Sequence, residues 1–181
     1  MKPFLVAFLM LPAIAAAQTT HIVKRGETLA TVARQHKYPD VTQNQMILAL
    51  VRANLPAFRT RSIDRLYVGS RLAVPDRAAV GATDAATADR EVGRLVRAEQ
   101  RYRDAVNAEE AKDHKAAFKA YLDAGEMGHG LAELRLGELY DQGSPAVKRD
   151  MQQSARWYQK ARDRGAPVRR PETRSVGEQL R

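Results

Sequence analysis

Two short runs, residues 20–24 and 71–74, bracket two helical stretches, and that bracket sets what the N-terminal part of the chain can become. Thr20 to Lys24 is partly β-branched and alternates weakly, which predicts a short strand. Arg25-Gly26-Glu27 then turns the chain, and the Thr28 hydroxyl is placed to accept a free backbone N–H at a helix start. Leu29, Val32 and Ala33 share one face of that helix, and Tyr38-Pro39-Asp40 ends it, because the residue before proline disfavours helical geometry. A second helix starts near Thr42 or Asn44. Met46, Ala49, Leu50 and Ala53 recur along it at helical spacing, and Asn54-Leu55-Pro56 stops it. Residues 57–65 form a polar, arginine-rich loop, and Arg71 to Val74 is the second strand, closed by Pro75. The predicted order is β-α-α-β, a small α+β unit of roughly 55 residues whose core is only marginally stable alone.

Residues 77–88 hold Ala, Asp, Thr and Gly with almost no large apolar side chain, so they predict a linker, either extended or fraying into helix. From Asp89 onward the pattern is helical. Val92, Leu95, Val96, Tyr102 and Val106 give one stripe, and further helices run over 116–127, 131–141 and 151–164. Gly125, Gly128, Gly130, Gly143 and Gly165 punctuate them, and residues 168–181 are polar, predicting a loose tail or one short terminal helix. Tyr121, Ala124 and Gly128 recur as Tyr158, Ala161 and Gly165, 37 residues further on, a period typical of helical-hairpin repeats.

Met1-Lys2, an apolar run from Phe4 to Ala16 and the small residues Ala15-Ala16-Ala17 predict a secretory signal cleaved after Ala17 and a periplasmic protein. The run is short for a membrane span of about 20 apolar residues, and no later segment is apolar enough to cross a bilayer. Loss of Lys2 lowers the formal charge from +9 to +8. Such a balance points to an anionic polymer, and export turns that expectation from nucleic acid toward the cell wall. There is no cysteine, which excludes disulfides and a thioether-linked lipid anchor.

The opening Val23-x-Arg25-Gly26-Glu27-Thr28-Leu29-x-x-Val32-Ala33 resembles a LysM domain, a small module that binds glycans containing N-acetylglucosamine. Gln45-Met46-x-x-Ala49-Leu50-x-Arg52-Ala53-Asn54-x-Pro56-x-Phe58 and Ile63-Asp64-Arg65-Leu66-x-x-Gly69-x-x-Leu72-x-Val74-Pro75 are similar to the LysM at the N-terminus of FimV-type bacterial proteins. By that resemblance glycan contacts fall to Gly26, Glu27, Thr28, Leu29, Asn54 and Ile63. The chemistry is consistent: an N-acetylated sugar needs exposed backbone N–H and C=O groups and a small apolar wall. Gly26 lets the backbone come close, Glu27 and Thr28 offer hydrogen bonds, and Leu29 or Ile63 an apolar contact. Gly26 serves a turn equally well, Thr28 a cap, and Leu29 the core. Glu27 stands where aspartate is commoner in the family, Ala30 where an aromatic is often seen, and Leu55 separates Asn54 from Pro56. Arg52, Arg59, Arg61 and Arg65 cluster around the second loop, either as partners for stem-peptide carboxylates or as a solvated basic loop.

Downstream, Ala117-x-x-x-Tyr121-x-x-Ala124-x-x-x-Gly128-x-x-x-Ala132-x-x-x-Leu136-Gly137-x-Leu139-Tyr140-x-x-Gly143 is followed by Ala155-x-Trp157-Tyr158-x-x-Ala161-x-x-x-Gly165. This resembles the Sel-one-like repeat, a relative of the tetratricopeptide repeat, in which small residues let helices pack closely and aromatics fill the gaps. Tyr121, Leu136, Tyr140, Trp157 and Tyr158 are therefore expected in the core. The resemblance implies a protein-binding surface. One repeat and a following helix are present without the next Ala-x-x-x-Leu-Gly element, so a cap or self-association is expected to complete the stack.

No catalytic signature stands out. His21, His36, His114 and His129 form no His-Glu-x-x-His pattern and are expected at the surface, and a zinc site would lack cysteine partners. Glu109, Glu110, Glu126 and Glu133 are expected on solvated helix faces, away from any sugar cleft. The expectation is a non-enzymatic periplasmic adaptor with no cofactor and no metal. Its expected partners are peptidoglycan and an unidentified envelope protein. The alternatives are an interaction scaffold whose LysM does not bind glycan, as in a FimV-like pilus, secretion or polar assembly factor, and an accessory subunit of a wall hydrolase.

Overall fold

A computed structural model describes residues 19–58 and 66–168. The expected leader, Arg59, Arg61, Ile63 and Arg65 of the second loop, and the tail from residue 169 lie outside the described residues. The described chain is mostly helical and carries one small two-stranded sheet. Its order is β1 (Thr20–Ile22), α1 (Leu29–His36), α2 (Gln43–Ala53), a 3-10 turn (Leu55–Phe58), β2 (Arg71–Ala73), α3 (Arg77–Gly81), α4 (Ala85–Glu110), α5 (His114–Glu126), α6 (Gly130–Gln142) and α7 (Met151–Asp163). β1 and β2 pair antiparallel, with Thr20 opposite Ala73, His21 opposite Leu72 and Ile22 opposite Arg71.

Every long helix starts on a side-chain cap that satisfies backbone donors left free at its first turn. Thr28 and Thr42 head α1 and α2 in reciprocal capping boxes: the N–H groups of Thr31 and Gln45 donate to the threonine hydroxyls at 3.2 Å each. The side chains of Thr31 and Gln45 accept from the threonine N–H groups at 2.8 Å. Asp84, Asp113 and Asp150 cap α4, α5 and α7, and the imidazole of His129 caps α6.

Residues 77–88, expected as a linker, are largely helical. Asp76 and Asp84 cap α3 and α4, and the small side chains that made the stretch look structureless permit close packing. Val80 and Ala88 are fully buried in the first core, beside Val23, Leu29, Val32, Met46, Leu50, Phe58 and Leu72. The expected single stripe on the first long helix also divides. Val92 and Leu95 enter the first core, Tyr102 and Val106 pack on a second core, and Val96 is half exposed on the outer side.

That second core joins α4 to α7 through Ala105, Ala117, Tyr121, Ala124, Ala132, Leu136 and Trp157. Two glycines set its spacing. A Cβ on Gly125 would lie 2.8 Å from Leu136, and one on Gly137 would lie 2.6 Å from the Tyr158 ring. The repeated sequence has a repeated geometry: Gly128 N–H donates to Gly125 C=O and His129 N–H to Ala124 C=O, as Gly165 N–H donates to Arg162 C=O and Ala166 N–H to Ala161 C=O. Both helices thus end in the same 6→1 hydrogen-bonded turn. On α7 only Ser154, Trp157 and Ala161 are buried, so its outer face is polar.

Buried charge was missed in sequence. His129, expected at the surface, is 1% exposed; its Nδ1 accepts from Ala132 N–H at 3.3 Å, so Nε2 carries the proton and donates to Glu99 at 3.1 Å. Tyr102 stacks on the ring with centroids 4.3 Å apart. Glu133, expected on a solvated face, is fully buried and accepts from Arg164 Nε at 2.7 Å. Glu109, also expected to be solvated, accepts from Tyr121 Oη at 2.6 Å and pairs with Arg135.

Candidate docking loop and helical groove

The two turns that flank the ribbon leave it at one end. Val23 N–H donates to Ser70 C=O at 3.0 Å and its carbonyl accepts from Gly69 N–H at 2.8 Å, which extends the ribbon by one residue on each strand. Beyond Val23, Glu27 N–H donates to Lys24 C=O at 3.2 Å and closes a four-residue turn. Gly26 holds its third position at φ +82°, with open space where a Cβ would project. A positive φ there is the geometry that favours glycine. Opposite, Ser70 N–H donates to Tyr67 C=O at 3.0 Å in a turn of the same shape, with Gly69 at φ +85°.

The Glu27 carboxylate braces the first turn. Its Oε2 accepts from Lys24 N–H at 2.8 Å and from His21 Nε2 at 2.9 Å, and Gln35 Nε2 donates to Oε1 at 3.5 Å. The backbone bond from Lys24, followed by the bond from His21, holds this carboxyl below its ordinary pKa of 4.5. His21 passes the contact on: its Nδ1 lies 3.1 Å from His36 Nε2, the rings meeting edge to face. Burial, reinforced by the charge of His21, pushes His36 below its ordinary value of 6.5. These two histidines are half-buried in a hydrogen-bonded chain, contrary to the surface position expected, whereas His114 is exposed.

The residues expected to contact glycan divide into two groups. Gly26 and Thr28 are exposed and adjacent, with Glu27 half-buried between them. Leu29 is 3% exposed and fills the first core. Asn54 is 6% exposed and staples α2 to β2: Nδ2 donates to Leu50 C=O at 2.8 Å and Ala73 C=O at 2.9 Å, while Oδ1 accepts from Ala73 N–H at 2.7 Å. Arg52 is exposed and donates from Nη1 to Thr83 Oγ1 at 2.7 Å, on the segment between α3 and α4. Sequence reasoning overlooked Tyr67 and Val68, 69% and 67% exposed at the tip of the second turn. The signal was two large apolar residues placed directly before a turn glycine. Lys24, Arg25 and Arg71 are exposed cations at the same end of the ribbon.

A second concavity lies between α4 and α5, an open groove of about 640 Å³ lined by Arg97, Gln100, Arg101, Asp104, Asp123 and Met127. It continues past Ala108, Ala116 and Lys119. Arg101 pairs with Asp104 and Asp123 across it. Among the described residues, no cluster of His, Cys, Asp or Glu is placed to hold a metal ion, and no helix is long and apolar enough to cross a membrane. No protein-family model matches this chain, and no curated protein or solved structure matches it either.

Proposed function

We propose that the chain is a non-catalytic adaptor of the bacterial periplasm that docks on peptidoglycan through its first turn and holds a protein partner on its helical repeat. The observation that carries this reading is the exposed Gly26–Thr28 turn, with free space before Gly26 and a rigid base made by the Thr28 cap and the Glu27 brace. A turn of that kind offers backbone groups to an N-acetylated sugar, and its one carboxylate, Glu27, is engaged internally by Lys24 N–H and His21. In this reading Leu29 supports the turn from the core and Asn54 holds the far end of the ribbon to α2, while the sugar meets Gly26, Thr28 and the neighbouring Tyr67–Val68 tip. The LysM-like and Sel-one-like motifs point the same way. Stem-peptide carboxylates would meet Lys24, Arg25 and Arg71, together with the arginines of the second loop.

The test is co-sedimentation of the mature protein with purified sacculi, beside a Gly26→Asp, Thr28→Ala variant shown by circular dichroism to be folded. Pelleting of the wild type alone supports the reading. Equal supernatant fractions for both proteins at low salt refute it. The mixed-charge groove between α4 and α5 favours a second reading, a protein scaffold without glycan affinity. In that case an envelope protein is retained by the chain while sacculi are not.

A further inference from the structure

His21, His36 and Glu27 come from three different segments, the strand β1, the end of α1 and the docking turn, and meet in one hydrogen-bonded chain. We propose that this chain is a proton-operated clamp: it ties the docking turn to the His36 end of α1 while the histidine pair carries at most one added proton, and releases that end when both rings are charged. The functional meaning of the clamp rests on the docking role proposed above; its proton chemistry does not.

Donor counting carries the argument. Glu27 Oε2 only accepts, so His21 donates to it from Nε2. With both rings neutral, His21 Nδ1 is an acceptor and His36 Nε2 donates to it across 3.1 Å. One added proton is accommodated without loss: His21 then donates from both nitrogens, to the carboxylate and to His36, whose Nε2 becomes the acceptor and whose Nδ1 carries hydrogen. A second proton leaves two N–H donors, and two positive rings, facing each other across the same gap. That bond cannot persist. The charges acting on His36 are His21 from β1 and Glu27 from the turn. Gln35 of α1 reaches Glu27 without titrating, and across the ribbon His21 faces the apolar Leu72. The second proton is therefore taken up below the ordinary histidine range, the direction in which burial and the His21 charge both act on His36. Once it binds, the turn keeps the Thr28 capping box at the start of α1, and near its end only the long Gln35 contact.

The experiment follows imidazole nitrogen and backbone amide resonances of the full mature chain from about pH 8 to about pH 5, within the range where histidine charge changes. The expected result is that the Gly26, Glu27 and Thr28 amides shift in step with His36 titration and exchange faster below its midpoint. In His36→Gln, which keeps a side chain able to donate to His21, that step is absent. Glu27→Gln, which removes the charge favouring protonated His36, moves the His36 midpoint to lower pH. His36 titration that leaves those three amides unmoved, or a His36→Gln variant that retains the wild-type step, overturns the clamp. Sacculus binding at about pH 7.5 reads the docking role separately: its absence sinks that role and leaves the amide result to decide the clamp. If binding occurs, a several-fold weakening toward about pH 5 that vanishes in His36→Gln is expected. An unchanged pH profile between the two proteins refutes control of docking.

Discussion

Replacing Asn54 by alanine tests whether this residue is a ligand contact or a structural staple. Its amide makes three internal hydrogen bonds, to Leu50 C=O and to both the C=O and N–H of Ala73, and it is 6% exposed. Each bond contributes about 1 kcal/mol net, and a donor or acceptor left buried without a partner costs about 1–3 kcal/mol. Water reaches Ala73 more easily than Leu50, so the expected loss for Asn54→Ala is about 2–4 kcal/mol. With a urea m-value of about 2 kcal/mol/M, that lowers the midpoint by about 1–2 M. Asn54→Asp keeps the acceptor for Ala73 N–H but turns an anion toward two carbonyls. It is expected to be worse than alanine near pH 7 and to recover as the carboxyl takes a proton in acid. The assay is urea unfolding followed by far-ultraviolet circular dichroism, with amide exchange at Leu72 and Ala73 as the local readout. A loss under about 0.5 kcal/mol, the level of an ordinary surface change, would refute the staple. So would folded Asn54→Ala that loses sacculus binding at unchanged stability, which would return Asn54 to the ligand.

Gly137→Ala gains about 1 kcal/mol in helix propensity but drives a Cβ to 2.6 Å from the Tyr158 ring, with even Cγ only 2.9 Å away. Overpacking of that kind costs about 1–3 kcal/mol, so α6 and α7 are expected to separate slightly and the urea midpoint to fall; a midpoint that rises would show that Tyr158 yields freely. Acid is expected to destabilise the chain in two steps. Because the folded His36 pKa lies below 6.5, a penalty appears as pH falls through 6.5 and is complete below the folded value. Glu27 is depressed below 4.5, so its contribution is present above 4.5 and disappears as pH falls through its lowered value. Thermal midpoints recorded between about pH 8 and about pH 3 check both, with His36→Gln lacking the first step.

Helices were legible in this sequence wherever a cap preceded a large-residue stripe. Thr28 before Leu29, Val32 and Ala33 marked α1, and the expected span 151–164 differs from α7 by one residue at its end. The stretch 77–88 was illegible because its buried side chains, Val80 and Ala88, are few and small, although Asp76 and Asp84 each stood as a cap. The inward turn of Asn54 was hidden for a different reason. Sequence shows a polar residue after a helix, while the bonds that absorb it come from Ala73, 19 residues away. His129 and Glu133 were misplaced on the same ground: their partners Glu99 and Arg164 lie about thirty residues off and become neighbours only once α4, α6 and α7 pack.

The largest consequence of that misreading lies in α4. A linker would let the Gly26 turn and the groove move independently, whereas α4 is one helix of 26 residues, about 39 Å long, with Val92 and Leu95 in the first core and Ala105 in the second. Arg94 adds a bond from Nη1 to Met127 C=O at 2.7 Å, fastening the first half of α4 to the end of α5. Trp157, the sole tryptophan, reports on the second core alone. If α4 transmits stability, Asn54→Ala in the first core lowers the midpoint seen by Trp157 fluorescence together with that seen by circular dichroism. Val96→Pro, at a position half exposed between the two cores, breaks the helix at a cost of about 3 kcal/mol and is expected to separate the two transitions. A Trp157 midpoint that stays fixed in Asn54→Ala with Val96 intact would mean that the two cores unfold independently. The distance from the Gly26 turn to the groove would then not be set by α4.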